Sequence, residues 1–317
     1  MDGSYIPLTN YPALSEIPSP VPGDDIEITT VTTTALNAAS FNSNYAVVVG
    51  NNGKIFTSTD NIAWTQQTSG TTNTLYAITN SQYGFFIAGS SGLILKSSDA
   101  INWSVITKVS NHQLNSAFSY SGTVILVGNN GEIAVSTNGS SFISYKHNNS
   151  VYRDVVYNGT NWIAVGNATI TSPNGTTWTN RNSLSLNGIC NNAGFLVAVG
   201  DNGLIVTSSD NGLNWTTRTS NISDNLYGIS ILNGYYIASG DNGIILKSSD
   251  AINWSTINNT GTDWQRHSSY GINGNDIVLT GQDGSVGVLH APLTGYKFLP
   301  LLPSPIPWLF TYQMRAM

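Results

Sequence analysis

Short apolar runs closed by glycine recur along this chain. YAVVVG begins at Tyr45, FFIAG at Phe85, VILVG at Val124, WIAVG at Trp162, FLVAVG at Phe195, YYIASG at Tyr235 and IVLTG at Ile277, with starts 40, 39, 38, 33, 40 and 42 residues apart. Each run is β-branched or aromatic, too short for a globular helix and bounded by turn residues, so each predicts a buried strand. A self-similar period of about 40 residues is the mark of propeller blades.

After six of the seven runs a second glycine follows three residues later, as in Gly50 and Gly53 or Gly240 and Gly243, mostly across Asn-Asn or Asp-Asn. Asn-Gly adopts the positive φ values of a type I′ turn at little cost, so each pair predicts a tight hairpin into a third strand. In the fourth repeat Gly166 is followed by Asn167 and Ala168, matching its shorter spacing. First strands precede the runs, as in LYAIT from Leu75 and LYGIS from Leu226, and a fourth follows each motif tryptophan. Four strands make the propeller unit. The seventh repeat has no serine-aspartate motif after VGVLH, and IEITTVTTT, residues 26–34, is expected to supply its outer strand and close the ring, removing an exposed edge.

The third strand ends in STDNIAW from Ser58, SSDAINW from Ser97, SSDNGLNW from Ser208 and SSDAINW from Ser248, with weaker copies STNGSSF from Ser136 and SPNGTTW from Ser172. This resembles the Asp-box, or bacterial neuraminidase, repeat over most of residues 35–290. In each copy the acid can accept backbone N–H bonds in its own turn, the serine can add a second bond, and the aromatic ring can pin the hairpin to the blade. The structural set is therefore Ser58, Asp60 and Trp64; Ser97, Asp99 and Trp103; Ser208, Asp210 and Trp215; Ser248, Asp250 and Trp254. The resemblance implies that these turns lie away from any catalytic face, and one carboxylate per separated blade cannot converge on one ion. The expected fold is all-β: a single seven-bladed propeller over 26–290, with a Pro-rich arm at 1–25 and an apolar Pro-rich arm at 291–317.

Charged residues are only 9% of the 317, so solubility rests on hydroxyl and amide groups. The net charge of −6 argues against a nucleic-acid or anionic-membrane partner, and the acids Asp2, Glu16, Asp24, Asp25 and Glu27 precede the first repeat. Cys190 alone excludes a disulfide framework or thiolate metal site. The N-terminus lacks a basic start and apolar core, so it does not read as a secretory signal. FLPLLPSPIPWLFTY is too short to span a bilayer and carries four prolines.

Candidate chemistry is sparse. A sialidase resemblance would imply three arginines around a carboxylate, a Tyr–Glu pair and an Asp acid. None of Arg153, Arg181, Arg218, Arg266 and Arg315 lies in an Arg-Ile-Pro motif, and Glu132 is the one glutamate beyond the N-terminal region. His112, His147, His267 and His290 lack metal-ligand spacing, so no catalytic residue, metal or cofactor is expected. Lys108, Lys146, Arg181, Arg218, Trp264 and Arg266 are expected where one blade connects to the next, forming a ligand face; scattered solvated charges are the alternative. In the C-terminal arm, Leu301, Leu302, Ile306, Trp308 and Phe310 suit free solvent poorly and suggest docking to a partner or folding back on the ring.

The β-rich, charge-poor body and its arms resemble a bacteriophage virion component, and PLTNYPALSEIPSPVPGDDIEI is similar to the leader of some phage tail proteins. That resemblance implies a non-enzymatic structural or adhesive protein of the tail or capsid surface, made in the bacterial cytoplasm. Its partners would be other virion proteins through the arms, and a host glycan or receptor through the ring. The blades also resemble propeller-type photosystem II assembly proteins, implying an assembly factor, although the export signal and arginine patch usual there are not evident. An Asp-box glycosidase is the third alternative.

Overall fold

A computed structural model describes residues 26–259, 264–269 and 276–290, with backbone alone for 258–259 and 264–269. Within them the chain forms seven four-stranded antiparallel sheets, the blades of one β-propeller. Blade one comprises Leu36–Phe41, Ala46–Gly50, Ile55–Ser58 and Thr65–Gln67, innermost strand first, and blades two to six repeat that order. The apolar runs are the second strands, and Ala46–Gly50 is buried at every position. Their side chains alternate between seams, as strand pleating requires: Val47 and Val49 pack against blade two, while Val48 packs against blade seven. Seven apolar clusters result, one per seam.

Blade seven is closed by the two ends of the ring. Ile26–Thr30 pairs antiparallel with Ser285–His290, from Ile26 opposite Leu289 to Thr30 opposite Ser285. The expected closing strand exists and ends four residues earlier than the alternating stretch, with the Val31 N–H on the Gly284 carbonyl at 3.1 Å. The seam from blade seven back to blade one buries Leu36, Val48, Phe56, Val278, Val286 and Val288.

The antiparallel meander gives the disc two unlike faces. Hairpins between second and third strands, and the connections between blades, gather on what we term the junction face. Hairpins between first and second strands and between third and fourth strands gather on the closure face, as do the ring ends Ile26 and His290.

The glycines that end the second strands sit at a close approach. The Asn51 N–H reaches the Ala35 carbonyl at 2.9 Å and the Asp241 N–H the Asn225 carbonyl at 3.0 Å, where the chain enters the inner strand. A Cβ at Gly50 or Gly240 would collide with those same carbonyls. The next turn is type I′ in blade one, with Asn52 at φ 56° and Gly53 at φ 69° and the Lys54 N–H on the Asn51 carbonyl at 3.2 Å. Blade seven departs from the expected turn: only Gly284 is at positive φ, its N–H meets the Gly281 carbonyl, and Asp283 instead accepts the Ser285 N–H.

Candidate functional site

The inner strands carry a β-bulge where they reach the junction face. Pairing skips a residue between Leu36 and Ala38, Leu75 and Ala77, Leu114 and Ser116, Tyr152 and Asp154, and Leu226 and Gly228. A bulge re-aims its side chain. The bulged residues are Asn37, Tyr76, Asn115, Arg153 and Tyr227, and Asn187 holds the matching place in blade five.

The asparagines are staples between neighbouring blades. Asn37 Nδ2 donates to the Leu75 carbonyl at 2.8 Å and Asn51 Oδ1 at 3.1 Å. Asn115 Nδ2 reaches the Tyr152 carbonyl at 2.8 Å and Asn129 Oδ1, and Asn187 Nδ2 reaches the Leu226 carbonyl at 2.9 Å and Asp201 Oδ1. Blades one and two, three and four, and five and six are thus joined in pairs at the channel mouth. Tyr76, Arg153 and Tyr227 stand between the staples, all half-buried. Burial, followed by a hydrogen bond to Asp241, pushes the Tyr227 phenol up to about 12. Sequence reasoning missed this ring, whose signal was the alternating second residue of LNA, LYA, LNS, YRD, LNG and LYG.

The serine-acid turns on the closure face are built as expected. Asp60 Oδ1 accepts the N–H groups of Ile62 and Ala63 at 2.9 and 2.8 Å and the Ser58 hydroxyl at 2.9 Å. Asp99 accepts from Ile101, Asn102 and Ser97, and Asp250 repeats this with Ile252, Asn253 and Ser248. Asp210 takes the Asn214 N–H and the Ser208 hydroxyl. Donated backbone N–H bonds, chiefly from Asn102, Asn214 and Asn253, hold Asp99, Asp210 and Asp250 well below the usual carboxylate range, Asp210 at about 2. Asn138 and Asn174 substitute in blades three and four with the same backbone bonds.

The indoles of Trp103, Trp215 and Trp254 donate to the carbonyls of Ala100, Gly212 and Ala251. Trp64 differs: its Nε1 is buried without a partner among the described residues. In that blade Asn61 turns away to Asp276 of blade seven at 2.9 Å. Asp276 also holds His290 Nδ1 at 2.9 Å, and Glu27 lies 3.7 Å from His290 Nε2. This cluster spans the ring closure. The Asp276 hydrogen bond raises the His290 pKa against the opposing effect of burial.

The expected cationic face is only partly assembled. Lys108 and Lys146 are exposed at the junction-face ends of the outer strands Ser104–Lys108 and Ile143–Lys146. Arg181 and Arg218 are instead held on their own blades, Nε to Thr171 Oγ1 at 2.7 Å and to Thr207 Oγ1 at 3.0 Å, as Gln67 is held by Thr57. These residues sit on separate rim strands and do not converge. Trp264 and Arg266 belong to the inner strand Trp264–Ser269 and not to a connection, and their side chains lie outside the described residues. Leu301, Leu302, Ile306, Trp308 and Phe310 also lie outside them. Arg218 lines a shallow groove of about 310 Å³ with Thr217, Asn221, Ile252 and Trp254.

Elsewhere, buried Glu132 accepts the Ser144 hydroxyl and lies 3.8 Å from His112 Nδ1. Burial pushes the Cys190 thiol up, so it is packed and unreactive. Among the described residues no three His, Cys, Asp or Glu side chains meet to hold a metal, and no helix is long and apolar enough to cross a membrane.

A seven-bladed ring with stapled inner strands defines the class as a β-propeller. No family model matches the chain, and no curated protein matches it in sequence. Solved propellers match its shape. YCF48 bound to D1 peptide superposes with a TM-score of 0.70 at 18% identity, over 86% of this chain and 97% of that one. YCF48 from Cyanidioschyzon merolae gives 0.69 at 17%, over 84% and 98%. A catalytically inactive virginiamycin B lyase from Staphylococcus aureus, with quinupristin, gives 0.73 at 12%, over 84% and 99%. At these identities the likeness is one of fold.

Proposed function

We propose that this chain is a non-enzymatic binding module that presents its junction face to an extended segment of a protein partner, as an assembly factor would. The observation that carries this reading is the division of chemistry between the two faces. Every exposed apolar turn tip among the described residues, and both ring ends, belong to the closure face, whereas the junction face offers amides, hydroxyls, two tyrosines, Arg153 and the rim cations Lys108 and Lys146. Such a surface suits hydrogen bonds to a peptide backbone with aromatic contacts between them. The shared fold of a YCF48 solved with a peptide supports the same reading.

Selection of a displayed random peptide library on the purified protein tests it. Enriched peptides are expected to lose at least tenfold in affinity with Tyr76→Ala or with Lys108→Glu combined with Lys146→Glu, and to keep it with Ile62→Ser. Failure to enrich any peptide, glycan binding alone, or turnover of a glycan substrate would count against the proposal.

A second reading places the protein in a phage particle. One observation favours it: Ile26 and His290 leave the ring on one face at one blade, so arms at 1–25 and 291–317 would reach a common anchor. Deleting 291–317 should then abolish incorporation into particles, and unchanged incorporation would contradict it.

A further inference from the structure

Four exposed aliphatic side chains of the closure face share one position in their turns. Ile62, Ile101, Leu213 and Ile252 are 62%, 42%, 48% and 48% exposed, and all occupy the position that follows the left-handed residue of the serine-acid turn. They belong to blades one, two, five and six. The equivalent residues of blades three and four are Ser140 and Thr176, both polar, the first exposed and the second half-buried. Blade seven, at the centre of the apolar arc, has no such turn, because the chain leaves there after His290 and enters at Ile26.

We propose that this arc is the docking surface of the chain's own C-terminal segment, residues 291–317. The observations commit to that occupant in three ways. The segment departs between the turns that carry Ile252 and Ile62, so either flank of the arc is adjacent to its origin. Its 27 residues reach about 90 Å when extended, roughly twice the width of a compact body of this size, so length does not limit contact with all four tips. FLPLLPSPIPWLF supplies apolar side chains without charge, and its four prolines disfavour a helix, as passage from tip to tip requires. The 1–25 arm is the poorer occupant, since Asp2, Glu16, Asp24 and Asp25 would be carried over apolar tips. The proposal is independent of the junction-face reading, because it uses the opposite face.

The test uses the full-length protein with p-benzoylphenylalanine replacing Ile252 or, separately, Ile62. Irradiation is expected to give crosslinks within one molecule to peptides from 291–317, and the same probe at Ser140 is expected to give none. Mixing isotope-labelled and unlabelled protein distinguishes copies. Crosslinks to a second copy, crosslinks to 1–25, or no crosslink to 291–317 would each overturn the proposal. A second measurement is tryptic cleavage after Lys297. It is expected to accelerate about tenfold when Ile62, Ile101, Leu213 and Ile252 are all changed to serine, a residue blade three already carries at this position. Equal cleavage rates in the two proteins would overturn it.

Discussion

The two faces of the disc solve the same problem, satisfying backbone groups at the ends of short strands, by different means. On the closure face each turn acid is satisfied locally: Asp99 finds Ser97, Ile101 and Asn102 within three residues in sequence. On the junction face the solution is shared between blades, because Asn37 satisfies the carbonyl of Leu75 across a seam, 38 residues away. The acid's own bonds hold one turn in shape, whereas the asparagine staples tie an inner strand to its neighbour. Between the junction-face staples Tyr76, Arg153 and Tyr227 stand half-buried.

The largest expected effect comes from breaking the closure. Removing residues 1–30 takes away the outer strand of blade seven, leaving Ser285–His290 as an open edge and removing Ile26 from the seam between blades six and seven. The truncated protein is expected to lose its single cooperative unfolding transition and to associate, as read by calorimetry and light scattering. Retention of a monomeric two-state transition would show that the ring does not depend on its velcro strand.

A junction-face staple should cost less. Asn115→Ala strands the buried Tyr152 carbonyl and is expected to destabilise by about 1–3 kcal/mol in denaturant titration. The local counterpart Asn174→Ala on the closure face should cost about 0.5–2 kcal/mol, by analogy with a lost helix cap. If the local change proves much the more damaging, the contrast between the faces is reversed.

Titration separates the faces further. Asp210 has its folded pKa depressed, so its contribution is present above the unfolded value of 3.8 and is lost as pH falls towards about 2. His290 has its folded pKa raised, so the closure cluster contributes fully below 6.5 and loses that contribution as pH rises through the raised value. On the junction face Tyr227 is raised, so its contribution is present below 10 and is lost between 10 and about 12. Thermal midpoints measured against pH should show the near-neutral loss removed by His290→Gln and the alkaline loss reduced by Tyr227→Phe. An unchanged profile in either variant would disprove the assignment.

The smallest effect is expected at Ala100. It sits at φ 64° yet is fully buried among Val47, Leu93 and Leu95 in the seam between blades one and two. Glycine would relieve about 1 kcal/mol of left-handed strain and forfeit a methyl worth about 0.8 kcal/mol, so the net change should stay within about 0.5 kcal/mol.

What the sequence made legible follows the same division. The type I′ turns at Asn52-Gly53 and the serine-acid turns are local, so their chemistry lies in adjacent letters. Strand alternation and period together implied the blades and even the closing strand from Ile26. The staples were invisible because their acceptors are main-chain carbonyls of another blade, which carry no letter. The hydrogen bonds of Arg181 and Arg218 were hidden for a related reason: Thr171 and Thr207 lie across a strand pair, and only the register brings them together. Ile62 and its equivalents look like isolated turn residues until the meander places them on one face.

The account turns on which face meets a partner, and hydrogen–deuterium exchange of the full chain, with and without a peptide selected as above, measures that directly. Slowed exchange in the hairpins at 51–54, 90–93 and 129–132 and at the start of the inner strands is the expected result. Slowed exchange confined to the serine-acid turns at 60–63, 99–102 and 250–253 would contradict it.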